Sequence, residues 1–199
     1  MKKKPASPIK KRKDVLDIQD YLKVKNERDY ILFVLGIATG YRAGDLVQLK
    51  VIDIKKALNN DEFEILENKK ANSKNIRPEN IKPRIVKVIS SLDTILRRYI
   101  KNKKDYEYIF PSRKGNHILV HQVGRILSEV GEQFNLKNIS AHSLRKTYAY
   151  FIYVESEYNL ALVQEMLGHS SSATTRKYLG LDRETYDKFS DSLNSLIRK

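Results

Sequence analysis

Between Ser140 and Tyr178 the chain places His142 and Arg145 at i and i+3, His169 directly after a Leu-Gly pair, and Tyr178 nine residues beyond that histidine. Ser140 can cap a helix, so one is predicted to begin near Ala141, with His142 and Arg145 on a shared face. Asn159 can cap a second, with Leu160, Val163 and Leu167 on its apolar side, and Gly168 ends it. His169 then falls at a helix terminus, where a side chain is well placed to meet a ligand. Two imidazoles, a guanidinium and a phenol suit a phosphate ester. Arg and His bind phosphate oxygens, and Tyr can form a covalent intermediate.

The blocks HSLRKT and LGHSSSATTRKYLG, in that order, resemble the C-terminal signature of the tyrosine recombinases, the phage-integrase family: H-x-x-R, then H or W, then Y. An earlier stretch, ATGYRAGDLVQLKVIDI with Arg42 and Asp45, is similar to the family's first arginine motif, G-x-R-x-x-E/D. Taken alone, Arg42 and Asp45 would be an ordinary i,i+3 pair worth about 0.2–0.5 kcal/mol. Alongside the later blocks, the resemblance makes Arg42 the first catalytic arginine and Asp45 its support. The match runs from about Asn26 to Leu181.

The elements that must position these groups are legible in order. Asp17 to Lys25 reads as a short helix. Asn26 caps the next, whose apolar run Tyr30 to Ile37 belongs in the core and stops at Gly40, so a rigid helix end carries Arg42. Arg42 to Lys50 resumes helical spacing, with Leu46 and Leu49 as core positions. Glu62 to Glu67 alternates, with Phe63 and Ile65 on one side, and Arg84 to Ile89 is its partner strand. Ser91 to Lys101 is amphipathic, with Leu92, Ile95, Leu96 and Tyr99 inward. YIFPS precedes a helix near Val120 to Phe134. His117 and His121 lack further ligands at metal spacing and are read as non-catalytic. Tyr148, Tyr150, Tyr153 and Tyr158 are read as packing residues. Arg183 to Lys199 forms a last amphipathic helix with Tyr186, Phe189, Leu193 and Leu196 on its stripe. The fold class is therefore mainly α with a small antiparallel β-sheet.

Composition narrows the partner. Lys and Arg number 38 against 24 Asp and Glu, a net charge of +14, which favours a polyanion. Residues 1–13 hold seven of the basic residues and no acid, and the rest keeps 31 against 24. Residues 1–13 are expected to be a disordered basic tail and 14–199 the catalytic domain. With no Cys, disulfide frameworks and thiolate metal sites are excluded. No apolar run approaches membrane-spanning length, and the N-terminus lacks a signal peptide's apolar segment, so a cytoplasmic location, bacterial or phage in origin, is the expectation.

The resemblance also implies a catalytic lysine at the start of the β-hairpin turn. Aligned to that motif, it is Lys70 in the order Lys69-Lys70-Ala71, with Lys69 and Lys74 as rivals. It implies that Tyr178 attacks a DNA phosphodiester, that Arg42 and Arg145 clamp the phosphate with a hydrogen bond from His169, and that His142 manages the phenolic proton. Lys70 protonates the leaving 5′-oxygen. No cofactor and no metal are expected, since two arginines supply the charge that metal ions supply elsewhere. The implied partner is double-stranded DNA, bound by a homotetramer on synapsed sites and by a monomer or weak dimer otherwise. Only about 25 residues precede the first core helix, which resembles the short members without a DNA-clamping domain, such as fimbrial-type invertases and some small phage integrases. A type IB topoisomerase or telomere resolvase would use the same chemistry. A DNA-binding regulator with a decayed site is the alternative from a different class, against which the complete set of side chains argues.

Overall fold

The computed structural model describes residues 5–66 and 83–181. Internal packing divides the chain into two units, one up to Tyr148 and one from Ala149.

The first unit is built around one helix. Helix α1 (Arg12–Lys25) buries Val15, Ile18 and Leu22, the i, i+3, i+7 stripe of a helix with a single apolar face. It packs on α2 (Glu27–Thr39), which is buried continuously from Asp29 to Gly36. Asn26 starts α2 as expected: its side-chain oxygen accepts from the Asp29 N–H at 3.2 Å. Gly40 ends it in the left-handed region, φ 63°. The short α3 (Ala43–Leu46) and then α4 (Val51–Asn60) follow. Helical spacing over Arg42 to Lys50 is thus interrupted after Leu46. Leu49 is only half-buried, and Val47 takes the core position instead.

Strands β1 (Glu62–Ile65) and β2 (Arg84–Lys87) pair antiparallel, with Phe63 opposite Val86 and Ile65 opposite Arg84. Period-two alternation sends Phe63, Ile65, Arg84 and Val86 to the inner face. Helix α5 (Ser90–Ile100) buries Leu92, Leu96 and Ile100, whereas Ile95 and Tyr99 are half-buried. Tyr99 keeps its phenol linked to the core by donating to the Ile109 carbonyl at 2.9 Å. Helix α6 (Val120–Gln133) follows, and α7 (Ala141–Glu155) begins at the predicted residue.

The N-terminal expectation needs correction from Ser7 onward. The Ser7 N–H donates to the Asn138 carbonyl at 3.0 Å. The Ile9 N–H donates to Thr147 Oγ1 at 2.9 Å, and Ile9 is 1% exposed. The basic residues around Ile9 concealed a single apolar anchor. Helix α1 likewise starts at Arg12, ahead of the predicted Asp17.

In the second unit α8 (Leu160–Leu167) is capped by Asn159, whose side chain accepts from the Leu162 N–H at 3.0 Å, and it ends at left-handed Gly168. Helix α9 (Ser172–Leu179) packs on α8 and buries Thr175 and Leu179. The predicted helix over 183–199 and the long hairpin connection lie outside the described residues.

Candidate active site

The first unit gathers Arg42, His142 and Arg145 from two distant stretches. The last turn of α2 is the seat. Carbonyls at a helix C-terminus carry about half a negative charge, which favours cations. Arg145, one turn into α7, is 1% exposed and donates from Nη1 to the Gly40 carbonyl at 2.7 Å. The backbone of Gly40 and Tyr41 then carries Arg42, half-buried in extended conformation (φ −68°, ψ 143°) at the N-terminus of α3. Asp45 follows within α3 and is half-buried too. Gly40 is required there. A Cβ on it would meet the Tyr148 ring at 2.5 Å, so the turn lies flat against that ring.

His142 precedes Arg145 by one turn, and much of its side chain faces solvent. Its pKa is nonetheless lowered, first by burial of the ring, then by the charges of Arg145, Arg42 and Lys146. The imidazole is therefore biased toward its neutral form, which can accept a proton. The charges of three cations thus act on one ring. Lys146 is itself buried, and burial lowers its pKa.

The second unit places His169 and Tyr178 together. The His169 N–H donates to the Gln164 carbonyl at 3.0 Å, which fixes the residue to the end of α8. Its ring meets the Tyr178 ring edge-on, with centroids 5.1 Å apart and planes at 72°. His169 Nδ1 lies 3.1 Å from the hydroxyl of Thr175, a fully buried residue one turn before Tyr178. Ser171 caps α9 by accepting from the Thr174 N–H.

Lys70 and its rivals Lys69 and Lys74 lie outside the described residues. Three residues near these groups were not singled out in the sequence: Arg84, Lys146 and Thr175. Arg84 left a signal, since the alternation of Arg84 to Lys87 puts a charged side chain on the inner face with Val86. Among the described residues no three His, Cys, Asp or Glu side chains converge as metal ligands. No described helix is long and apolar enough to cross a membrane.

The fold is that of a tyrosine-recombinase catalytic domain. The XerA recombinase structure superposes with a TM-score of 0.66 at 18% identity, covering 98% of this chain and 67% of that one. The XerH site-specific recombinase, solved bound to its difH substrate as a pre-cleavage complex, gives 0.58 at 26% identity, over 96% of this chain and 54% of XerH. The phage integrase family profile matches residues 10–185, and the chain belongs to that family. It is 34% identical over 181 residues to the probable integrase/recombinase YoeC of Bacillus subtilis strain 168, covering 90% of this chain and 92% of YoeC. Against two other curated tyrosine recombinases it spans 56% and 63% of their length.

Proposed function

We propose that this protein is a site-specific DNA recombinase or integrase that cuts and rejoins strands through a 3′-phosphotyrosine. The observation that carries the reading is the hydrogen bond of Arg145, one turn after His142, to the Gly40 carbonyl two residues before Arg42, which joins stretches far apart in sequence. The Tyr178 phenol gives its proton to His142, and its oxygen attacks the phosphorus. The bond from phosphorus to the 5′-oxygen breaks, and that oxygen leaves as a hydroxyl with a proton from Lys70. Arg42 and Arg145 hold the non-bridging oxygens as charge grows on them, and His169 adds a hydrogen bond. The phosphotyrosine conserves the bond energy, so a 5′-hydroxyl from a second duplex can reverse the step and complete an exchange.

Exchange between two duplexes requires four cleavages, so the working assembly is a homotetramer on paired DNA sites. A body that remains basic without its N-terminal residues fits a DNA backbone.

Incubation with a nicked duplex carrying the recognition site tests the reading. The nick lets the short strand diffuse away and traps the covalent state. Wild-type protein gives an SDS-stable adduct; Tyr178→Phe binds the same DNA and gives none. An adduct that persists in Tyr178→Phe refutes the nucleophile.

A further inference from the structure

A buried cation outside the recombinase signature lies under the same turn. Arg84 opens β2 on its inner face, opposite Ile65, and is 8% exposed. Its Nη2 donates to the Thr39 carbonyl at 2.8 Å. Its Nε and Nη1, like the Tyr148 hydroxyl beside them, are buried without a hydrogen bond of ordinary length and angle. The guanidinium carbon stands 5.7 Å from the centre of the Tyr148 ring, a cation–π distance. Burial, and then the charge of Arg145, lower its pKa to about 10.

For stability alone this is a poor choice. A buried ion with unsatisfied donors and a like charge nearby is commonly matched or bettered by an apolar residue of similar volume. Its position suggests what it does. Thr39 and Gly40 present consecutive carbonyls at the end of α2. Arg84 holds the first, and Arg145 holds the second at 2.7 Å. Arg42 follows on the same backbone. A shift of the Thr39 carbonyl therefore moves the seat of Arg145 and the origin of Arg42 together.

We propose that Arg84 is a positioning residue for the two phosphate-clamping arginines, acting through the C-terminal turn of α2. The inference rests on the functional reading above. Arg84 touches no reacting atom. Its charged fork pins the turn, and its loss lets both guanidiniums drift from the phosphate. Misplacement by about 1 Å can cost on the order of 10²-fold in rate.

Two variants test this, in the full chain, by the single-turnover rate of adduct formation on the nicked duplex between pH 6 and pH 9. Arg84→Met keeps length and volume but not the charge. It is expected to slow adduct formation by roughly 10- to 100-fold at every pH, with unchanged DNA affinity and a thermal midpoint at or above that of wild type. Arg84→Lys carries a charge that can be titrated. An ordinary lysine has a pKa of about 10.4, and the same burial and the same Arg145 push the introduced amine lower. Its rate should approach wild type at pH 6 and fall toward the Arg84→Met level as pH rises and the proton is lost. Wild type should show no such decline up to pH 9.

Wild-type rates in Arg84→Met would overturn the proposal. So would an Arg84→Lys profile parallel to wild type. A slow variant whose rate per folded molecule equals wild type would reduce Arg84 to a structural part and overturn it as well. If wild-type protein itself forms no adduct, the functional reading fails and takes this inference with it. A wild-type adduct alongside an unaffected Arg84→Met removes this inference alone.

Discussion

His169 meets the ring of Tyr178 edge-on at 5.1 Å while its Nδ1 lies 3.1 Å from Thr175 Oγ1 on the same helix as the tyrosine. The imidazole is held between two residues one turn apart on α9. The Thr175 hydroxyl also lies 3.4 Å from the Ser171 carbonyl, one turn earlier. Thr175 thus helps to orient the His169 ring.

Thr175→Val keeps the buried shape and removes the hydroxyl. A hydrogen bond of this kind contributes about 1 kcal/mol, so adduct formation should fall by several-fold to tenfold. Thr175→Ser should recover most of the loss. Single-turnover cleavage by the two variants checks this; equal rates for valine and serine would remove the role of the hydroxyl.

The two arginines should separate rate from binding. One donor to a developing charge is worth about 10²–10³ in rate, whereas DNA affinity is shared among many basic groups. Arg42→Ala is the cleaner experiment because Arg42 is half-buried. It should cut adduct formation by that factor with little change in affinity. Arg145→Ala also leaves the buried Gly40 carbonyl without its donor, at about 1–3 kcal/mol, so its rate must be read per folded molecule. Near-normal rates in Arg42→Ala on a filter-binding and cleavage pair of assays would refute the clamp.

The family was legible because its signature residues sit in short local blocks, and the helices because caps such as Asn26, Asn159 and Gly168 are local signals too. What escaped depends on tertiary contact. Helix α4 is nearly balanced between apolar and polar residues, and it buries Val51, Ile54, Ala57 and Leu58 because β1 and α5 lie beside it. Ile9 reads as part of a charged tail until Thr147 is known to receive its N–H. Thr175 and Arg84 act on His169 and on the end of α2 across gaps that no spacing rule covers.

His142 should have an acid-side signature. Burial first, and then Arg145, Arg42 and Lys146, hold its pKa below the usual 6.5. The folded state therefore binds this proton less readily than the unfolded state. The ring's contribution to stability is intact above pH 6.5 and is lost as pH falls through the lower folded value. Adduct formation in the free enzyme should decline over the same acid range, below pH 6.5, as the base becomes protonated. Imidazole NMR resonances would give the midpoint directly. Arg42→Gln removes one of the lowering charges and should move that midpoint upward; a midpoint at or above 6.5 in wild type would contradict the shared cationic site.

Gly40 couples stability to the site. Its left-handed backbone (φ 63°) disfavours any side chain, at roughly 1 kcal/mol for alanine. A Cβ would also meet three Tyr148 ring atoms between 2.5 and 2.9 Å. The ring has little room to yield: Tyr148 is buried and faces Arg84. Overpacking of this kind costs about 1–3 kcal/mol, so Gly40→Ala should lose roughly 2–4 kcal/mol in urea unfolding. The turn that bears the Gly40 carbonyl should shift as well, and with it the seat of Arg145. Gly40→Ala, Tyr148→Leu relieves the steric part and should regain most of the overpacking cost, while the backbone part stays. If the double variant is no more stable than Gly40→Ala alone, the ring is not what requires glycine at this position.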